Sequence, residues 1–139
     1  MKTRNIKVLL IACTSIILFS ACHPKLGANT IYAPGFSETK FVSVQIGETG
    51  LAAIEKAGLP LRALRYSVNS AEAKAFGNAQ SIPIRELPIL LKDKKETDGQ
   101  YITLEYSGTP SGEVRNYLRR NILIIDGLVS MVEASDYYD

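Results

Sequence analysis

Arg115-Asn-Tyr-Leu-Arg-Arg-Asn-Ile-Leu-Ile-Ile-Asp-Gly-Leu-Val-Ser-Met-Val-Glu133 is the stretch that decides the fold. Two apolar runs flank Asp126-Gly127, a dipeptide that accepts positive φ at both positions and so closes a two-residue β-hairpin. An unbroken ladder from that turn pairs Ile125 with Leu128, Ile124 with Val129, Ile122 with Met131 and Arg120 with Glu133. Ile122, Ile124, Val129 and Met131 then share one face, closed by the complementary pair Arg120 and Glu133. The opposite face carries Leu123, Ile125, Leu128 and Val132 beside Asn121 and Ser130. Both faces are apolar, yet a core made with short helices needs only one. The second is covered either by the protein's own loops or by a partner protein, so Leu123, Ile125, Leu128 and Val132 are the interface candidates.

Upstream of the hairpin, Tyr101 to Tyr106 alternates, with Ile102, Leu104 and Tyr106 on one face of a strand. Gly108 to Gly112 forms a flexible turn around Pro110, and Lys92 to Gly99 is a charged loop. Pro83 and Pro88 exclude a long helix or a central strand over Gln80 to Leu91. A short helix is predicted over about Ser70 to Phe76, capped by Asn69 or Ser70 and ended by Gly77. Another is predicted over Gly50 to Ala57: Thr49 caps it, Leu51, Ile54 and Ala57 form its stripe, Gly58 takes the C′ position and Pro60 stops it. Phe41 to Ile46 alternates apolar and polar residues. Before that, His23 to Lys40 is punctuated by Pro24, Gly27, Asn29, Pro34 and Gly35 and reads as a tether. Its Ile31, Tyr32 and Phe36 are available to dock on a partner or on the domain itself.

The N-terminus has the three parts of a secretory signal: Lys2, Arg4 and Lys7, an apolar run from Val8 to Phe19, then small residues. The run is shorter than the roughly 20 apolar residues a membrane-spanning helix needs. Phe19-Ser20-Ala21-Cys22 resembles the lipobox of bacterial lipoproteins, in which the Cys becomes the acylated mature N-terminus, so Cys22 is the lipidation candidate. Cys13 leaves with the signal. Several acyl chains on Cys22 hold a domain to a bilayer far better than one. In such lipoproteins an Asp after the Cys favours the inner membrane. His23 stands there instead, and the resemblance implies outer-membrane anchoring with the domain facing the periplasm. The expected organisation is a signal peptide over 1–21, a lipidated tether over 22–40 and an α+β domain over 41–139.

The 139 residues include 16 Lys plus Arg and 14 Asp plus Glu. Removing residues 1–21 leaves 13 basic and 14 acidic groups, a net charge of −1. A near-neutral body lacks the clustered basic surface of a nucleic-acid binder. One His and two Cys exclude most metal sites and any disulfide scaffold. No phosphate-cradling glycine loop, paired-His site or Cys pair is present. Paired carboxylates for a hydrolase can be drawn only from Glu105, Glu113, Asp126, Glu133 and Asp136, of which the turn claims Asp126 and the cross-strand pair claims Glu133. Arg115, Arg119 and Arg120 make a basic edge, read first as a solvated strand edge and alternatively as a site for an anionic lipid headgroup. The expectation is a non-catalytic protein with no metal, no cofactor and no small-molecule substrate.

Gly47-Glu-Thr-Gly-Leu-Ala-Ala-Ile-Glu-Lys-Ala-Gly-Leu-Pro60 resembles the short helical motif of the SmpA/OmlA, or BamE-type, outer-membrane lipoproteins. Gly47, Thr49, Gly58 and Pro60 match that motif, while Ala53 is smaller than its usual aliphatic residue and Glu48 replaces a frequent Met. The order of lipobox, tether, short helices and terminal hairpin matches as well, although the insert from about Val68 to Lys95 is long. The resemblance implies an α+β fold of two short helices packed on a three-stranded antiparallel sheet. It also implies an accessory role in outer-membrane protein assembly or envelope integrity, through contacts with an envelope protein complex such as the assembly machinery and with lipid. The alternative is a tethered inhibitor of a soluble enzyme, since β-lactamase-inhibitor proteins share this kind of fold.

Overall fold

The computed structural model describes residues 27–67, 79–110 and 117–136. Cys22, the helix expected over 70–76, Glu113 and Arg115 lie outside them. The described elements are β1 (Ile31–Tyr32), α1 (Glu38–Val42), α2 (Gly50–Ala57), β2 (Arg62–Ser67), β3 (Gln80–Ser81), α3 (Leu87–Lys92), α4 (Lys94–Thr97), β4 (Gln100–Glu105), β5 (Ser107–Gly108), β6 (Leu118–Ile125) and β7 (Leu128–Asp136). Five strands form an antiparallel sheet in the order β3-β2-β4-β6-β7, and β1 pairs with β5 in a separate two-stranded ribbon. The fold is α+β as expected, but the sheet has five strands rather than three, and four short helices rather than two are described. For the sheet the reason is compositional: Arg-Ala-Leu-Arg-Tyr-Ser in β2 places only Ala63 in the apolar core, too weak an alternation to announce a strand.

The core lies between the helices and one face of this sheet. Phe41, Ala53, Ile54, Ala57, Leu87 and Leu91 come from the helices, and Ala63, Ile102, Leu104, Ile122, Ile124 and Val129 from the strands; all are buried. α2 spans the residues predicted for it, because each boundary has its own chemical device. Thr49 Oγ1 accepts a hydrogen bond from the Ala52 N–H (3.2 Å), and Gly58 takes φ +88° at the C-terminus. Gly50 lets the helix start close to β6, since a Cβ there would lie 2.7 Å from Ile124 Cδ1. The same segment pairs with the outer side of β7: the Gly47 N–H donates to Val129 O, the Val129 N–H to Glu48 O and the Gly50 N–H to Gly127 O, at 2.8–2.9 Å.

Three local expectations are corrected. The alternation over Phe41 to Ile46 does not mark an extended segment: Phe41 ends in a helix, and Phe41 and Val44 are buried while Val42 and Ile46 are exposed. Inward positions therefore recur at a spacing of three, not two. The charged loop over Lys92 to Gly99 contains the helical turn α4, whose Asp93 cap accepts from the Lys95 N–H and whose Thr97 is buried. The stretch expected as tether is packed against the domain from Gly27 onward. β1 pairs with β5, the Ala33 N–H donates to Tyr106 O, and Tyr32, Phe36, Phe41 and Tyr106 form a chain of rings with neighbouring centroids 4.8–5.7 Å apart. Phe36 thus docks on the domain core, while Ile31 and Tyr32 are held by the β1–β5 backbone pairing with their side chains exposed. Just before Pro83, β3 is a two-residue edge strand, and Pro88 sits in the first turn of α3, as their chemistry allows.

The hairpin carries the main correction. Asp126 (φ +52°) and Gly127 (φ +81°) form the expected turn, and Ile125↔Leu128 and Ile124↔Val129 pair as read. The register then shifts: Leu123 opposes Met131, Ile122 opposes Val132, Asn121 opposes Glu133 and Arg120 opposes Ala134. Ser130 is the extra residue of a β-bulge. One added residue exchanges inside and outside beyond it, so Val132 packs against the core and Met131 is 44% exposed. The expected cross-strand pair of Arg120 and Glu133 is lost with the register. Arg120 is buried instead beside α1, donating from Nε to both Glu38 carboxylate oxygens (2.8 and 3.0 Å) and from its backbone N–H to Ser107 Oγ (2.8 Å).

Candidate functional site

All four described helices lie on one side of the sheet, and among the described residues no helix covers the other side. The strand registers arrange that open face in three rows across β2, β4, β6 and β7. The row nearest the hairpin turn is Tyr66, Tyr101, Ile125 and Leu128, with the two tyrosine rings 5.2 Å apart. The middle row is Leu64, Thr103, Leu123 and Met131. The third is Arg62, Glu105, Asn121 and Glu133. The first two rows are apolar or aromatic apart from Thr103, and they run out to the most exposed members, Leu128 (48%) and Met131. Ile46, 73% exposed, stands beside the start of β7, where Gly47 is bonded to Val129.

The third row is polar and internally matched. Arg62 Nε donates to Glu105 Oε2 (2.7 Å), Asn121 Nδ2 donates to Glu133 Oε2 (3.0 Å), and Arg119 Nη1 lies 3.5 Å from Glu133 Oε1. The hydrogen bond to Glu105 raises the Arg62 pKa further above its ordinary value. A groove of about 580 Å³ runs from this end across β2 and β4, with Leu61, Leu64, Tyr66, Thr103, Tyr117 and Asn121 in its wall. Glu105 is held by Arg62, Glu133 by Asn121 and Arg119, and Asp126 accepts from the Gly99 N–H (2.8 Å), so these three of the carboxylates singled out for acid–base work have structural partners, while Glu113 and the Asp136 side chain lie outside what the structure describes. The basic edge is likewise divided: Arg120 turns inward to Glu38, while Arg119 lies over the Tyr117 ring and donates to its hydroxyl.

Of the interface candidates, Leu123, Ile125 and Leu128 lie on the open face, and Val132 is on the core side because of the bulge. Leu64, Tyr66, Tyr101 and Met131 complete the surface and were not singled out. Tyr101 alone carried a signal, as the outward partner of Ile102 in an alternating strand. The motif residues play structural parts. Gly47 (φ +91°) starts the segment paired with β7, Thr49 caps α2, Pro60 is buried, and Gly58 O accepts from the Tyr106 hydroxyl (2.9 Å). Burial pushes that Tyr106 phenol well above its ordinary pKa, so it stays a donor to Gly58 at any physiological pH.

Among the described residues no group of three or more His, Cys, Asp or Glu is placed to hold a metal ion, and no helix is long and apolar enough to cross a membrane. The chain matches no family model, no curated protein and no solved structure.

Proposed function

We propose that this chain is a lipid-anchored envelope protein that works by protein–protein contact. Its role would be accessory, in outer-membrane protein assembly or envelope integrity, as the resemblance to the SmpA/OmlA lipoproteins implies. The observation that carries the reading is that, among the described residues, the helices cover one face of the sheet only, and two rows of apolar and aromatic side chains line the other. Such a surface offers burial and shape rather than reactivity, and apolar patches of this kind mark interaction sites. The lipobox ending at Cys22 supports the anchor, with the domain facing the periplasm.

The interface is tested by Leu123→Asp in the full acylated chain. The substitution places a charge in the middle row of the open face, on the side away from the helices. The circular dichroism spectrum is expected to be unchanged, while co-purification of the membrane-embedded partner is lost. A folded variant that still recovers every wild-type partner defeats the interface. Recovery of a soluble enzyme instead of a barrel complex by the wild type selects the inhibitor alternative. Mass spectrometry of the N-terminal peptide checks the anchor independently: an unmodified Cys22 removes the lipoprotein reading.

A further inference from the structure

We infer that the end of the domain remote from the hairpin turn rests on the bilayer, through a patch formed by Ile31, Leu59 and Leu61. This rests on the acylated Cys22 proposed above. The sheet has two unlike ends, separated by the length of β6, about 24 Å for eight residues in extended conformation. The chain enters the domain at the Leu118 end. There the Thr30 N–H donates to Gly27 O (2.9 Å), the Leu118 N–H donates to Thr30 Oγ1 (2.8 Å), and the Leu118 side chain lies against Gly27. Cys22 is five residues before Gly27, a reach of at most about 18 Å when fully extended. That is shorter than the sheet is long. An anchor at Cys22 therefore holds the Leu118 end near the lipid and leaves the turn end pointing away.

The Leu118 end also carries apolar surface that the fold does not bury. Ile31, Leu59 and Leu61 are 39%, 45% and 37% exposed. They are neighbours: Ile31 is directly opposite Gly108 in the β1–β5 ribbon, and the Cβ position of Gly108 faces Leu61 Cδ2 at 3.6 Å. Residues directly opposed in an antiparallel pair share a face, so the Ile31 side chain and the Gly108 Cβ direction lie on one face of the ribbon, and Leu61 lies against that same face. Leu59 and Leu61 flank the buried Pro60 and both reach solvent. Arg62 at the rim is neutralised by Glu105 (2.7 Å), so this patch does not require an acidic lipid. Tyr32, next to Ile31 and 38% exposed, adds an amphipathic ring of the type found at headgroup depth. A short leash gives the patch a high effective concentration of bilayer, so even weak apolar contact becomes occupied. The side chains then reach the headgroup–acyl boundary, about 5–10 Å into the interface.

The chain contains no Trp, so a single introduced indole reports on its own position. The full acylated protein is reconstituted into neutral phosphatidylcholine vesicles carrying brominated acyl chains, with Leu61→Trp or Ile31→Trp as reporter. Leu128→Trp at the turn end and Ile89→Trp on α3 serve as controls, both replacing exposed side chains. Bromine is expected to quench the first two at least about twofold more than the controls, as insertion to interfacial depth requires. Equal quenching at Leu61, Ile31 and Leu128 in acylated protein overturns the docking and leaves the anchor standing. Strong quenching at Leu128 alone overturns it in favour of the opposite orientation. An unacylated Cys22 in the mass spectrum of the same preparation overturns the docking and the anchor together.

Discussion

The two ladders that β6 makes behave differently. Against β4 it runs through five consecutive pairs without interruption, from Tyr101↔Ile125 to Glu105↔Asn121. Simple alternation therefore assigns every side chain correctly, and Ile102, Leu104, Ile122 and Ile124 are all fully buried. Against β7 alternation holds for two pairs beyond the turn and then fails at Ser130. From there the inside residue is Val132 rather than Met131. Alternation reports the face of a side chain only while the ladder is continuous, and a single inserted residue inverts everything beyond it.

The largest effects test the continuous ladder. Ile124→Ala removes a side chain packed between the sheet and Gly50 of α2, and is expected to cost about 2–5 kcal/mol. Its neighbour Ile125 faces the other way, and Ile125→Ala should cost about 1 kcal/mol or less. In a domain of this size each kcal/mol moves the melting temperature by about 4–8 °C, so thermal melts resolve the pair. Equal losses would mean that both faces are core. The broken ladder is tested by the adjacent pair Val132→Asp and Met131→Asp. With the bulge, Val132→Asp forces an unpaired charge against the apolar core and should cost about 2–3 kcal/mol, whereas Met131→Asp stays within about 0.5 kcal/mol. The opposite ranking would restore the unbroken register.

What the sequence revealed follows the same division. α2 was legible because Thr49, Gly58 and Pro60 mark its ends chemically, whatever it packs against. The turn was legible because Asp126 and Gly127 suit positive φ. Gly127→Val tests that placement: it combines a β-branched residue at φ +81° with a Cβ only 2.9 Å from Thr97 Oγ1, and about 1–3 kcal/mol should be lost in a melt. The bulge was not legible, since Ser130 has no conformational demand that distinguishes it from its neighbours. Nor were β2 and α1, whose places depend on distant partners: β2 on its ladder with β4, and α1 on Phe41 in the ring cluster and on Glu38 beside Arg120. The open face was legible where it belongs to β6. Leu64 and Tyr66 joined it only through the pairing of β2.

The smallest expected effect separates a helix held by local chemistry from one held by tertiary contacts. α2 and α1 both follow a hydroxyl residue in extended conformation, Thr49 at φ −69° and Ser37 at φ −135°. Only Thr49 caps: its Oγ1 accepts from the Ala52 N–H, whereas the Ser37 side chain makes no capping hydrogen bond. Thr49→Ala should therefore lower stability by about 1 kcal/mol, and Thr49→Ser should retain most of it, because the acceptor oxygen remains. Ser37→Ala should change stability by less than about 0.5 kcal/mol, since α1 gains nothing from that hydroxyl. Urea midpoints at constant slope measure both. The backbone bridge between Thr49 and Leu128 survives either substitution, so the Thr49→Ala loss isolates the cap rather than the contact with β7. An equal loss at Ser37 would show that α1, too, is specified locally.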